Sequence, residues 1–321
     1  MSFDPNAYNP NNVQQPSRNA SILGGVTQGM PQGQQAGSRI IVFGLEKMGK
    51  TTFAMGAPNA LLIPTELDSP AMSRYRHTKI IQSWSEVEQL CVELIEAAKQ
   101  GQLARGSSLV WDSLTAIERF IHLAVLMEDP QYVKAYDHAT GVLKPNMKAV
   151  TMESALGGYG KAYSRANEHF QTFTRYMDEL AFYGGINVVM TCHAFASRVK
   201  DPAHGEYDTW DLLLHSPKND KTYGKRELAT QWADVVGFLY EPMFITKADD
   251  NGQLQRGITA NMGRSLAISR APQWVAGNRY QLNGSIPIPE VGGFNYFADA
   301  VYNSTRGVVD LYNRASPPFE Q

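Results

Sequence analysis

Residues 39–52, RIIVFGLEKMGKTT, join an apolar run to a glycine-rich turn and so set the expected fold. Ile40, Ile41, Val42 and Phe43 form an apolar, largely β-branched run without polar interruption, the pattern of a strand buried on both faces. The run feeds directly into Gly44-x-x-x-x-Gly49-Lys50-Thr51, a Walker A or P-loop motif. Glycines at both ends let the backbone wrap closely and turn its N–H groups on phosphate oxygens. Lys50 is then placed to reach the β- and γ-phosphates, and Thr51 to put a hydroxyl on Mg²⁺. The stretch TTFAMGAP predicts a helix whose positive dipole end lies beneath the phosphates. Gly44, Leu45, Glu46, Lys47, Met48, Gly49, Lys50, Thr51 and Thr52 are the expected cradle for a nucleoside triphosphate.

Beyond the loop, Ala60-Leu61-Leu62-Ile63 predicts a second buried strand ending at Pro64-Thr65-Glu66, with a short strand at Lys79-Ile80-Ile81. Ser83 and Glu86 make a capping box, and Val87, Leu90, Cys91, Leu94, Ile95 and Ala98 recur at helical spacing until Gly101. Residues 108–111 predict a strand ending at Asp112, with a helix beginning near Leu114. A helical stretch over about 159–183 precedes a strand at 186–190 that ends at Thr191-Cys192-His193. Strands alternating with helices predict a mainly parallel sheet with helices on both faces. From 235 onward, short apolar runs at 235–239, 243–245 and 257–259, with Asp249-Asp250-Asn251-Gly252 as a hairpin turn, predict an antiparallel extension of that sheet.

Right-handed crossovers put the C-terminal ends of parallel strands on one edge, so Glu66, Asp112 and His193 are expected to converge on the P-loop. Asp112 has the placement of a Walker B acid that holds Mg²⁺ opposite Thr51; its alternative is the N-cap of the following helix. Glu66 can orient and deprotonate the water that attacks the γ-phosphate, or be a solvated loop acid. His193 can sense the γ-phosphate, or be a structural histidine.

A formal net charge of -2 announces no global positive field, so any nucleic-acid contact needs a local patch. Lys218, Lys221, Lys225 and Arg226, with Tyr223 among them, form one: cations to follow a phosphate backbone and a ring to stack on a base. A solvated face is the alternative. The glycine-rich segment 157–165, with Tyr159 and Tyr163 around Lys161, is a second candidate, whose alternative is a helix start. Residues 1–38 hold eleven Asn and Gln and only Asp4 and Arg18 as charges, the composition of a disordered arm. Cys91 and Cys192 lie outside any metal-ligand spacing and are expected as buried thiols. No signal peptide and no long apolar run is present, which predicts a cytoplasmic protein without membrane contact.

In this order, FGLEKMGKTT, LLIPTE, SLVWDSLTAIE, NVVMTCHA and VAGNRY resemble the RecA-like P-loop ATPase core, most nearly its phage-encoded members associated with single-strand annealing and recombination. With the arm over 1–38 set apart by its composition, the resemblance implies a RecA-like core over 39–302, followed by a C-terminal extension over 303–321. It implies ATP and Mg²⁺ as cofactors, and Lys50, Glu66, Asp112 and His193 as catalytic residues, His193 coupling nucleotide state to the loop that follows it. Arg279 matches a basic position that reaches a neighbouring subunit's γ-phosphate, which implies a homo-oligomer. Single-stranded DNA is the implied partner, with a single-strand-binding protein as a further one, in the host bacterial cytoplasm. An ATP-gated DNA-binding or annealing protein with little turnover, and a P-loop kinase of a small metabolite, are the alternatives.

Overall fold

Alternate side chains of the strand over residues 39–44 enter two different cores. Ile41 and Phe43 face one and Ile40 and Val42 the other, all 0% exposed. This is the two-sided burial that an uninterrupted apolar run requires. In the computed structural model the described residues are 36–67, 69–137, 140–202, 205–217, 223–245, 257–259 and 263–312. The elements are β1 (Arg39–Gly44), α1 (Lys50–Ala54), β2 (Leu61–Pro64), α2 (Ser69–Arg74), α3 (Trp84–Lys99), β3 (Ser108–Asp112), α4 (Leu114–Met127), α5 (Pro130–Ala135), α6 (Lys161–Asp178), β4 (Asn187–Asp201), β5 (Gly205–Leu212), α7 (Lys225–Trp232), β6 (Val235–Tyr240), β7 (Met243–Ile245), β8 (Gly257–Thr259), β9 (Arg264–Ala267), β10 (Gly277–Asn278), β11 (Ser285–Ile288) and α8 (Gly293–Ser304).

The sheet runs β11-β9-β6-β1-β4-β3-β2. From β6 to β2 the strands are parallel, whereas β9 and β10 pair antiparallel to β6 and β11 antiparallel to β9. The expected α/β fold, a mainly parallel sheet with helices on both faces and an antiparallel extension, is the observed one. On one face α3, α4 and α6 bring Val87, Ile117 and Phe173 onto Trp111, whose ring meets Phe173 edge-on at 5.1 Å. On the other, α1 and α8 pack Phe53 against Phe294 at 5.3 Å. Each such buried large side chain contributes about 1.5–3 kcal/mol, which makes these faces the main source of stability. Cys91 and Cys192 are buried free thiols within the first core.

Three expectations are corrected. Lys79-Ile80-Ile81 is not a strand; the segment borders β2 irregularly, with Thr78 N–H donating to Leu62 O and Ile81 N–H to Pro64 O. The strand ending at His193 does not stop there: β4 continues to Asp201 and pairs antiparallel with β5 along its whole second half. And of the runs expected to form the antiparallel extension, 235–239 is β6, which pairs parallel to β1, and β7 pairs with β8 in a separate two-stranded ribbon, so the extension is made of β9, β10 and β11 instead; the hairpin turn expected at 249–252 lies outside the described residues. Of the expected C-terminal extension, residues 303–312 pack on the core, with Leu311 buried; 313–321, like residues 1–35 of the expected arm, lie outside the described residues. No described helix is long and apolar enough to cross a membrane.

Candidate nucleotide-binding site

Because β1 is flanked by parallel β4 and β6, the P-loop leaves the sheet at its C-terminal edge between two neighbours. Close approach explains Gly44, where a Cβ would meet Leu239 O at 2.6 Å. Gly49 caps α1 with φ +81°, a left-handed conformation suited to glycine. Lys50 is buried and its Nζ donates to Gly44 O at 3.0 Å and Leu45 O at 2.7 Å, across the mouth of its own loop. Burial pulls the pKa of this ammonium down, opposed by the charge of Asp112. A cavity of about 380 Å³ opens here, lined among others by Lys47, Thr51, Tyr75, Asp112 and His193.

Asp112 and Thr51 meet: the Thr51 hydroxyl donates to Asp112 Oδ2 at 2.6 Å, and the buried Thr191 hydroxyl donates to Oδ1. The helix N-cap role falls to Ser113 instead, whose Oγ accepts from Ala116 N–H at 3.3 Å. A threonine hydroxyl beside a carboxylate is a hard-oxygen donor set that fits Mg²⁺. Thr51 and Asp112 would hold the ion, which when bound neutralises phosphate charge.

Glu66 reaches the same edge. Its Oε1 accepts from Arg119 Nη2 at 2.8 Å and from Ser113 Oγ at 3.3 Å, and His193 Nε2 lies 3.9 Å from Oε2. His193, then Arg119 and Ser113, hold the Glu66 carboxyl below the usual carboxylate range against the opposing effect of burial. A carboxylate so stabilised is ionised at neutral pH, suited to orient a water more than to take its proton. Thr65 staples the two strand ends: its N–H donates to Asp112 O at 2.8 Å and its Oγ1 accepts from Ser113 N–H at 2.6 Å.

Two arginines at this edge escaped sequence reading. Arg119 lies on α4, and only its place one face round from the strand end could have signalled it. Arg264, the first residue of β9, donates from Nη1 to Met48 O at 3.0 Å, inside the P-loop; no local motif marks it.

Other expected site residues fall elsewhere. Lys225 is no surface cation: it is 0% exposed, and its ammonium faces Glu118 Oε1 at 3.4 Å. The packing of α7 against α6 carries it inward, away from any nucleic-acid backbone. Arg226 is partly exposed and paired with Asp211 at 3.0 Å and Glu227 at 3.1 Å, and Tyr223 is exposed. Lys218 and Lys221 lie outside the described residues. Arg279 stands at the opposite edge of the sheet from its own P-loop, because β10 pairs with the first residues of β6; its guanidinium is held by Asp234 at 2.9 Å. In the 157–165 segment Tyr159 is fully exposed, whereas Tyr163 stacks on His215 with centroids 3.8 Å apart.

A phosphate-binding loop between parallel strands, with Thr51 and Asp112 joined beside it and an ionised Glu66 across the cavity, defines a nucleotide-binding P-loop ATPase of the α/β class. The chain belongs to the AAA domain family, whose model matches residues 36–280, from the entry to β1 through β10. It is an AAA-type P-loop ATPase. A search among curated proteins gave no match in sequence.

Proposed function

We propose that this ATPase acts on single-stranded DNA as a RecA-like assembly of identical subunits, in recombination, annealing or replication of the phage type. The observation that carries the reading is the path of β4. His193 pairs with Gly44 at the mouth of the P-loop, and the strand then runs on, paired with β5, along a groove of about 1450 Å³. One rigid element thus joins the phosphate end of the site to the groove, so occupancy of either can bias the other. Glu66, Arg119 and His193 close the groove's near end; Phe195, Arg198 and Arg226 line its wall. The Arg226 guanidinium lies 5.9 Å from the Phe195 ring, a platform on which a base can stack. Arg198 and Arg226 are engaged with Asp208 and Asp211, and a nucleic-acid phosphate would exchange for those carboxylates.

In the reaction the P-loop amides and Lys50 hold the phosphates, Glu66 orients the attacking water, and His193 reports the γ-phosphate to β4. In such an assembly Arg279 would serve a neighbouring subunit's γ-phosphate, since it lies far from its own. A single-strand-binding protein fits the same reading as a further partner. The hold of Arg119 on Glu66 favours a second reading, an ATP-gated DNA-binding protein whose unstimulated turnover is slow.

The test is Mg²⁺-dependent phosphate release by wild type and Lys50→Ala, with and without single-stranded DNA. Stimulation by DNA in the wild type, with turnover abolished in a folded Lys50→Ala protein, is expected. Wild-type hydrolysis that DNA leaves unchanged, together with no DNA binding in the presence of a nonhydrolysable ATP analogue, would remove DNA as the substrate.

A further inference from the structure

We infer that Arg264 is a nucleotide-positioning residue: by gripping the Met48 carbonyl from behind the P-loop it aims the Gly49 amide at the phosphates and sets a positive charge beside them. The inference rests on the nucleotide reading of the P-loop and is independent of the DNA reading.

Topology brings Arg264 there. In the antiparallel pair of β9 with β6, Ser265 lies opposite Tyr240, the last residue of β6, so β9 begins at the edge where β1 releases the P-loop. The side chain crosses to the loop and Nη1 donates to Met48 O at 3.0 Å. A trans peptide is planar and its C=O and N–H point in opposite directions. Fixing the Met48 carbonyl toward the guanidinium therefore turns the Gly49 N–H away from it, and Gly49 lines the cavity beside the loop whereas Arg264 does not. Gly49 is the residue that permits this grip. A Cβ at position 49 would lie 1.7 Å from Arg264 Nη1 and 2.9 Å from Cζ, so the guanidinium occupies the space a side chain would take. The glycine serves the left-handed turn and the arginine at once.

The charge is also unclaimed. Among the described residues Arg264 has the carbonyl and no carboxylate as partner, unlike Arg119, Arg226 and Arg279, each held by an acid. A cation fixed against a phosphate loop strengthens anion binding there through its field, and together with the fixed amide this shifts affinity by about tenfold. Lys50 and Arg264 divide the work: one touches the phosphates, the other shapes the backbone that does.

The experiment titrates ADP onto the full chain for wild type, Arg264→Ala and Arg264→Lys, with steady-state ATP hydrolysis on the same proteins. For Arg264→Ala, Kd for ADP and KM for ATP are expected to rise about tenfold while kcat stays within about twofold. Arg264→Lys, which keeps charge and a donor but loses the planar fork, should recover part of the affinity. The melting temperature without nucleotide should hold, and the rise induced by ADP should shrink. Wild-type Kd in Arg264→Ala, or a fall in kcat at unchanged KM, would overturn the inference. Should Arg264→Ala not fold, Arg264→Lys decides: an affinity equal to wild type overturns it, a few-fold loss supports it. A wild type that binds no ADP would overturn the nucleotide site itself, a separate outcome.

Discussion

Lys225 carries its charge out of reach of water, and its neighbours are adjusted to it. Glu118 faces the ammonium at 3.4 Å and accepts from His215 N–H at 2.8 Å, while Tyr163 lies under the cation at 5.9 Å. His122 and His215 complete the cluster, and burial, followed by the charge of Lys225, pushes their pKa values down to about 3 and about 4. Both are therefore neutral when folded at pH 7 and take up protons near pH 6.5 only when unfolded. Since the unfolded chain then binds more protons, stability falls as pH drops from about 6.5 toward these folded values. His122 Nε2 is buried without a hydrogen bond, so His122→Phe removes an unsatisfied atom as well as one titrating group. Thermal melts between pH 7 and 4 should show a shallower loss for His122→Phe than for wild type. An unchanged slope would show that His122 is not excluded from protonation by the fold. None of this was legible in the stretch 215–226, where alternating cations and polar residues give the pattern of a solvated patch. Burial of one lysine among them depends on the partner that α4 supplies.

At the scale of elements, α4 ties the chemistry to the groove. It starts at the Ser113 cap directly after Asp112, and successive residues Glu118 and Arg119 diverge, one to Lys225 and the backbone of His215, the other to Glu66. Arg119 and Glu66 are both substantially exposed, so their ion pair is worth at most about 1 kcal/mol. If it restrains Glu66, Arg119→Ala should raise unstimulated ATP turnover about two- to fivefold, an increase that phosphate release can resolve. A rate equal to or below wild type would show that Arg119 positions Glu66 instead. The element that sequence reading cut short was β4. Strand and loop signals overlap after His193, where apolar continuity gives way to mixed residues. The exposed and half-buried positions nevertheless alternate to Asp201 with period two. Asp201-Pro202 and Gly205, at the facing ends of β4 and β5, were visible as punctuation, but without the pairing register the segment read as a loop.

Across the molecule as a whole, the second core is closed by the last described residues, 311 and 312. Past α8, Leu311 is 1% exposed, its carbonyl accepts from Asn187 Nδ2 at 3.1 Å, and the Tyr312 hydroxyl donates to Gly56 O at 3.0 Å. Asn187 also receives Ser38 N–H at 3.0 Å, so one side chain joins the entry to β1, the start of β4 and the end of the described chain. Leu311→Ala should cost about 2–5 kcal/mol in urea unfolding, the range for a truncated buried leucine. A change below about 0.5 kcal/mol, the scale of surface substitutions, would show that this end only rests on the core.

Legible along the chain was what is contiguous: the P-loop with its preceding strand, the strands that lead to Glu66 and Asp112, and the helix capped ahead of Trp84. Phosphate binding by backbone amides and burial of an apolar run are short-range properties, so a few neighbouring residues carry them. Tertiary structure alone decided that Arg264 grips Met48, that Arg119 holds Glu66, that Lys225 is inside and that Arg279 stands at the far edge. Each of these is a contact between residues remote in the chain. Its existence depends on strand order and direction, which composition and spacing along one segment do not encode.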